Sequence, residues 1–142
     1  MPTEHSFGCI VVHTANAQSR YLLVRQLTHW SFPKGHTEGN ETPFDTAKRE
    51  IYEECGISFF NLVPELEFTE EYTFNREGVP TKKVNTFFVA TVETDEIHPQ
   101  PAEILECTFA PYATAREMLT YESQKSILDK AHTALQEKGY VS

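Results

Sequence analysis

Positive charge is in short supply in this sequence. Lys and Arg number 12 against 21 Asp and Glu, a formal net charge of −9, which disfavours a broad electrostatic grip on nucleic acid or on an anionic membrane. An anionic ligand must then be met by metal ions or by a local basic patch. Long apolar runs are missing as well: none approaches the roughly 20 residues of a membrane span. The amino terminus, Met1-Pro2-Thr3-Glu4-His5, lacks the basic and apolar regions of a signal peptide. The expected setting is therefore the cytoplasm, with no membrane partner and no stable nucleic-acid complex. Cysteine is scarce and odd in number. Cys9, Cys55 and Cys107 form no CxxC pair, which argues against a disulfide framework or a structural zinc site and leaves them to pack as small apolar residues. No internal repeat, low-complexity tract or linker interrupts the chain.

What is present is enough for one ordinary domain. A chain of 142 residues buries about 68–70% of the surface its unfolded form exposes, so a single domain over residues 1–142, acting as a monomer, is expected. Phe7 to Val12 and Tyr21 to Val24 are apolar, β-branched runs separated by a polar break from Asn16 to Arg20, and they predict two strands. Ser31 to Thr42 is polar, with Pro33 and Gly35, and predicts an irregular loop. A helix from Pro43 to Cys55 follows from agreeing signals: Thr42 as cap, Pro43 at the first position, Asp45 completing a capping box, and Gly56 as the stop. Phe44, Ala47, Ile51 and Cys55 recur at helical spacing and mark its core face. Further β-type runs are predicted around Phe59 and Phe60, from Leu66 to Phe74, from Val84 to Val92 after a turn at Asn75 to Gly78, and from Ile104 to Ala110. Helices over Ala113 to Thr120 and Ser123 to about Lys138 close the chain. This order of elements predicts an α/β (α+β) fold, a mixed β-sheet sandwiched between helices.

The chemistry concentrates on the first helix. Glu50, Glu53 and Glu54 stand at i, i+3 and i+4 and so project from one side of it. Like charges at this spacing destabilise an isolated helix by roughly 0.2–0.5 kcal/mol per pair, so the arrangement makes best sense around a cation. Carboxylate oxygens are hard ligands that suit Mg²⁺ or Mn²⁺ rather than zinc. Phosphoanhydrides resist hydrolysis because their negative oxygens repel a nucleophile, and a bound metal removes that repulsion while activating water.

Read from Gly35, five residues precede Glu41, seven more precede Arg49-Glu50-Ile51, and Tyr52, Glu53-Glu54, Cys55 and Gly56-Ile57 follow. This segment resembles the signature box of the Nudix hydrolases in full. The resemblance implies a Nudix fold and a metal-dependent hydrolase. Glu50, Glu53 and Glu54 would hold the metal, assisted by a backbone carbonyl at Lys34 or Gly35, and the general base is one of those three glutamates. Arg49 would orient the carboxylates and Glu41 would pair with it. One further acid often comes from a later strand or loop in this superfamily; Glu103 fits that position best, with Glu106 as the alternative.

The stretch Trp30-Ser31-Phe32-Pro33-Lys34-Gly35-His36-Thr37-Glu38 and the hairpin Thr81-Lys82-Lys83-Val84 are similar to the asymmetrical diadenosine tetraphosphate hydrolases, which split that dinucleotide into ATP and AMP. The likeness implies a small-molecule nucleotide polyphosphate as substrate. Lys34 and His36 would lie beside its phosphates, Lys82 or Lys83 at the far end of the chain, and Tyr72 and Phe74 against a base. Phe74 departs from the subfamily pattern in lacking a hydroxyl. The alternatives are another Nudix pyrophosphohydrolase, acting on 5′-triphosphate RNA, a nucleoside triphosphate or a nucleotide sugar, and a non-catalytic nucleotide-binding Nudix regulator.

Overall fold

The computed structural model describes residues 1–14, 18–99 and 106–142. In chain order its elements are β1 (Thr3–His13), β2 (Arg20–Gln26), β3 (His29–Ser31), β4 (Lys34–Gly35), α1 (Pro43–Cys55), β5 (Asn61–Arg76), β6 (Val79–Val92), β7 (Glu106–Pro111), α2 (Tyr112–Met118) and α3 (Glu122–Glu137). All seven strands belong to one mixed sheet. Its main path runs β3-β2-β1-β6-β5, with β4 paired to β1 and β7 to β2. Among the described residues only β1 and β6 run parallel; the other pairs are antiparallel.

Why β1 sits at the centre is written in its composition. Cys9 through Val12 are all fully buried, as a strand covered on both faces requires. Alternate residues serve different cores: Cys9 and Val11 pack with Ile51 and Cys55 of α1, whereas Ile10 and Val12 pack with Ile127, Leu128, Ala131 and Leu135 of α3. Helices therefore cover both faces of the sheet, which confirms the sandwich expected from the element order. No helix among the described residues is long and apolar enough to cross a membrane. The three cysteines are buried free thiols, and the Sγ atoms of Cys55 and Cys107 lie 2.7 Å apart.

The helix α1 forms as its local signals dictate. Thr42 Oγ1 accepts from the Asp45 amide at 3.2 Å and Asp45 Oδ2 accepts from the Thr42 amide at 3.3 Å, a closed capping box. Gly56 ends the helix in the left-handed region, with φ 72°, a position glycine occupies without Cβ strain. Ala47, Ile51 and Cys55 are fully buried; Phe44 is half-buried, packing edge-on against Phe60 and Phe88.

Three local expectations change. The segment around Phe59 and Phe60 is not a strand: residues 56–60 run without regular structure, because the chain must leave the left-handed turn at Gly56 before it can reach the sheet edge. Pairing starts at Asn61 and resumes at Glu67 after a register break, so the first hairpin strand is longer than its apolar run. The loop from Ser31 to Thr42 begins at the last residue of the short strand β3 and contains a second, β4. Of these, β4 lies against β1 through Phe7↔Gly35 and Gly8↔Lys34, and a side chain at Gly8 would collide with Pro33 O at 2.1 Å. The hairpin turns at Glu77 and Gly78, both at positive φ, the pattern of a two-residue type I′ loop.

Gly56 and Gly39 allow a matched test of the helix end. Both have positive φ, but a Cβ at Gly56 would stand 2.8 Å from His98 Cβ, whereas one at Gly39 meets nothing within 4 Å. Alanine at either position is expected to cost roughly 1–2 kcal/mol from the left-handed backbone, and Gly56→Ala should cost measurably more. Urea denaturation midpoints compare them; equal losses would show that the His98 segment yields freely.

Candidate active site

The centre of the site is one guanidinium. Arg49 Nε donates to Glu41 Oε2 at 2.8 Å and Nη1 donates to both Glu50 Oε1 at 2.9 Å and Glu53 Oε2 at 3.0 Å. Nη2 donates to the His36 carbonyl at 2.8 Å. A planar fork with several donors can hold such a set where an ammonium cannot. The result ties the loop carrying Gly35 and His36 to the helix carrying the acids. Glu41 is further gripped by the Glu38 amide and the Thr46 hydroxyl. Close approach completes the junction: a Cβ on Gly35 would fall 2.1 Å from Glu50 Oε1, so only glycine lets the loop backbone lie against that carboxylate.

Glu50, Glu53 and Glu54 share the helix side that their spacing requires but not one environment. Glu54 is buried at 5% exposure, the Glu50 side chain is 14% exposed and the Glu53 side chain 54%. Among the described residues no three His, Cys, Asp or Glu side chains form a ready cage for a metal; Glu50 and Glu53 both accept from Arg49. Glu50 and Glu54 nevertheless line the same polar cavity, together with Lys34, Gly35, His36 and Lys83. Hard carboxylate oxygens in a cavity that Gly35 keeps open fit a divalent ion.

The cationic side of this cavity is compact. Lys83 Nζ lies 3.3 Å from His36 Nε2. Burial and then Lys34 push the Lys83 pKa down; burial and then Lys83 push that of His36 down. Groups in that condition gain from an incoming anion. Lys82 points elsewhere, pairing with Glu71 at 3.3 Å. Register decides between the two lysines, since Lys83 stands opposite Tyr72 on β5 and neighbouring residues of a strand face opposite ways.

A second, more apolar cavity adjoins the first, and Lys34 lines both. Tyr72 and Tyr121 expose about half their surface and border it with His29, Glu70 and Gln124. Phe74 is not among its lining residues; its ring lies under the Arg76 guanidinium, 5.1 Å from the centroid. Tyr121, His29, Glu70 and Gln124 carry no local sequence signal for a site; the docking of α3 beside β5 brings Tyr121, Gln124 and Glu70 together, and His29 of β3 joins them through its ring contact with Tyr121. Glu106 forms an ion pair with Arg25 at 3.5 Å, and Glu103 falls outside the described residues.

Donation by Arg49, then by the Glu38 backbone and Thr46, holds the Glu41 carboxyl down at about 2. A carboxylate depressed on folding contributes stability above its unfolded pKa, near 4.3, and loses it as the pH falls toward about 2. Glu41→Gln is therefore expected to flatten the fall in unfolding free energy between those limits. Urea midpoints measured across the range check this; an unchanged slope would show that the Arg49 fork does not hold Glu41 in solution.

The comparisons with known proteins agree with this geometry. The NUDIX domain model matches residues 4–130. The asymmetrical bis(5′-nucleosyl)-tetraphosphatase of Rattus norvegicus is 26% identical over 124 residues, covering 84% of this chain and 83% of that protein. The RNA pyrophosphohydrolase of Bartonella henselae is 42% identical over 50 residues, 35% of this chain, and this chain spans only 29% of that relative's length. Among solved structures, a C. elegans Ap4A hydrolase binary complex superposes with TM-score 0.83 at 21% identity, covering 94% of this chain and 98% of that one. The NUDIX domain of Shewanella oneidensis NrtR, complexed with ADP ribose, gives TM-score 0.77 at 16% identity, over 95% and 90% of the two chains. With the family model matched along most of its length and the full box set around Arg49, the chain belongs to the Nudix hydrolase family.

Proposed function

We propose that this protein hydrolyses a phosphoanhydride bond of a dinucleoside polyphosphate, with diadenosine tetraphosphate split to ATP and AMP as the favoured reaction. The observation that carries the proposal is the pair of adjoining cavities meeting at Lys34. One offers carboxylates and cations for a polyphosphate, and the other offers two tyrosines for a base. Residues 1–142 act as a single Nudix domain and a monomer, in the cytoplasm, where the touching thiols of Cys55 and Cys107 stay reduced.

Glu50 and Glu54, with Glu53 and the Gly35 carbonyl, would hold the Mg²⁺ or Mn²⁺ ion, and Glu103 is the candidate for an additional ligand. The ion supplies charge neutralisation and water activation when bound. Lys34, His36 and Lys83 bind phosphate oxygens, with Lys82 as a more distant contact. Arg49 and Glu41 position the carboxylates. One of Glu50, Glu53 and Glu54 takes the proton from the attacking water as the new P–O bond forms and the bridging P–O bond breaks. Tyr72 and Tyr121 stack the base, with Phe74 behind Tyr72 at 6.4 Å between ring centroids.

Removal of the 5′ diphosphate from RNA is the second reading, supported by the 42% identity to the Bartonella henselae enzyme over 50 residues. The net charge of −9 opposes a long polyanion. Assay with Mg²⁺ and chromatographic identification of products separates the two: ATP plus AMP from the dinucleotide supports the first, and faster pyrophosphate release from triphosphate RNA overturns it.

Glu54→Gln keeps the shape of a buried side chain and is expected to lower kcat on the order of 10²–10³-fold with the thermal transition retained. Tyr121→Ala should instead raise KM about tenfold, consistent with roughly 1–3 kcal/mol for base stacking. Full activity in both variants would defeat the assignment of the two cavities.

A further inference from the structure

The inner wall of the tyrosine-lined cavity is built around a buried carboxylate. Glu70 is 6% exposed and belongs to the strand face that also presents Tyr72. Its Oε1 accepts from Asn85 Nδ2 at 2.9 Å and from Gln124 Nε2 at 3.0 Å, and its Oε2 accepts from the Ser123 hydroxyl. Since Nε2 is the atom that donates to Glu70, the Gln124 amide turns its NH₂ toward that carboxyl. Its carbonyl then faces the other way. Gln124 is 2% exposed and lines the cavity, yet its Oε1 has no hydrogen-bond partner among the described residues. A buried acceptor in that state calls for a donor from whatever enters.

We infer that Gln124, oriented by Glu70, is a specificity-determining residue that reads the exocyclic amino group of the base held between Tyr72 and Tyr121. This rests on the proposed binding of a nucleoside in that cavity. Stacking alone accepts any base, because every base has a π face. One fixed acceptor adds a preference for a base with an amino group at the matching edge, as adenine has, over a purine lacking it. Sites built to hydrogen-bond a group discriminate against analogues without it far more strongly than apolar pockets discriminate by size. Glu70 acts as a positioning residue, since it touches Gln124 rather than the base.

The test is equilibrium binding by calorimetry without metal, so that no turnover is involved. AMP is compared with purine riboside 5′-monophosphate, which has the same ring, sugar and phosphate but no amino group. Wild-type protein is expected to favour AMP at least about tenfold. Gln124→Met should bind both with equal affinity, and Glu70→Gln, which frees the amide to rotate, should reduce the preference as well. Tyr121→Ala should weaken both ligands alike. Equal wild-type affinities, with Tyr121→Ala still weakening both, would overturn the inference while leaving the base in its cavity. Indifference of both ligands to Tyr121→Ala would overturn it by removing the base from the cavity. The wild-type comparison needs no variant to fold. Failure of dinucleotide hydrolysis with the AMP preference intact would count against the proposed reaction alone.

Discussion

Three of the acidic groups in this site depend on the guanidinium of Arg49. Glu41, Glu50 and Glu53 all accept from it, and the His36 carbonyl accepts from it as well. Without that cation, like charges would crowd one helix side and the loop before it, each repelling the next. With it, repulsion becomes a junction between two segments of different conformation. The close contact of Gly35 with Glu50 follows from the same junction, since the loop can be drawn in only where no side chain intervenes.

Charge is distributed with similar economy. The chain is strongly acidic overall, yet Lys34, His36 and Lys83 line one cavity beside three carboxylates, Glu38, Glu50 and Glu54. The sheet register makes this possible: β6 sets Lys83 opposite Glu4 of β1 on one side and opposite Tyr72 of β5 on the other. A single residue thus stands between the amino-terminal strand, the polar cavity and the aromatic surface. Its neighbour Lys82 faces away and forms an exposed ion pair with Glu71, of the kind that contributes little to stability.

What was legible in the sequence was whatever local chemistry decides. Thr42, Pro43, Asp45 and Gly56 delimit α1 as their types predict, and Glu77-Gly78 closes the hairpin. The box residues were equally visible, because their spacing is a property of one loop and one helix. The misplaced strand at Phe59 and Phe60 shows the limit of composition: aromatic residues there pack on α1 or lie exposed, and the chain needs them as a passage rather than a ladder. Long-range placement was invisible for a different reason. Tyr121, Glu70 and Gln124 meet only when α3 docks on the sheet beside β5, and nothing within several residues of any of them announces it. The choice between Lys82 and Lys83 depended on strand register, which a one-residue shift would reverse. The spacing of Glu50, Glu53 and Glu54 likewise gave their common side but not the different depths at which Arg49 and the core leave them.

The carboxylate-lined cavity and the tyrosine-lined cavity share Lys34 but are otherwise mounted on different parts of the scaffold. Carboxylates and glycine loop are braced against β1, buried on both faces, and any disturbance there is transmitted into two cores at once. The tyrosine-lined cavity lies at the outer strand β5 and the start of α3, where Tyr72 and Tyr121 are half exposed above the buried Glu70 and Gln124. Substitutions at that outer margin leave the junction around Arg49 intact, so the periphery is free to drift in sequence while the inner scaffold is held.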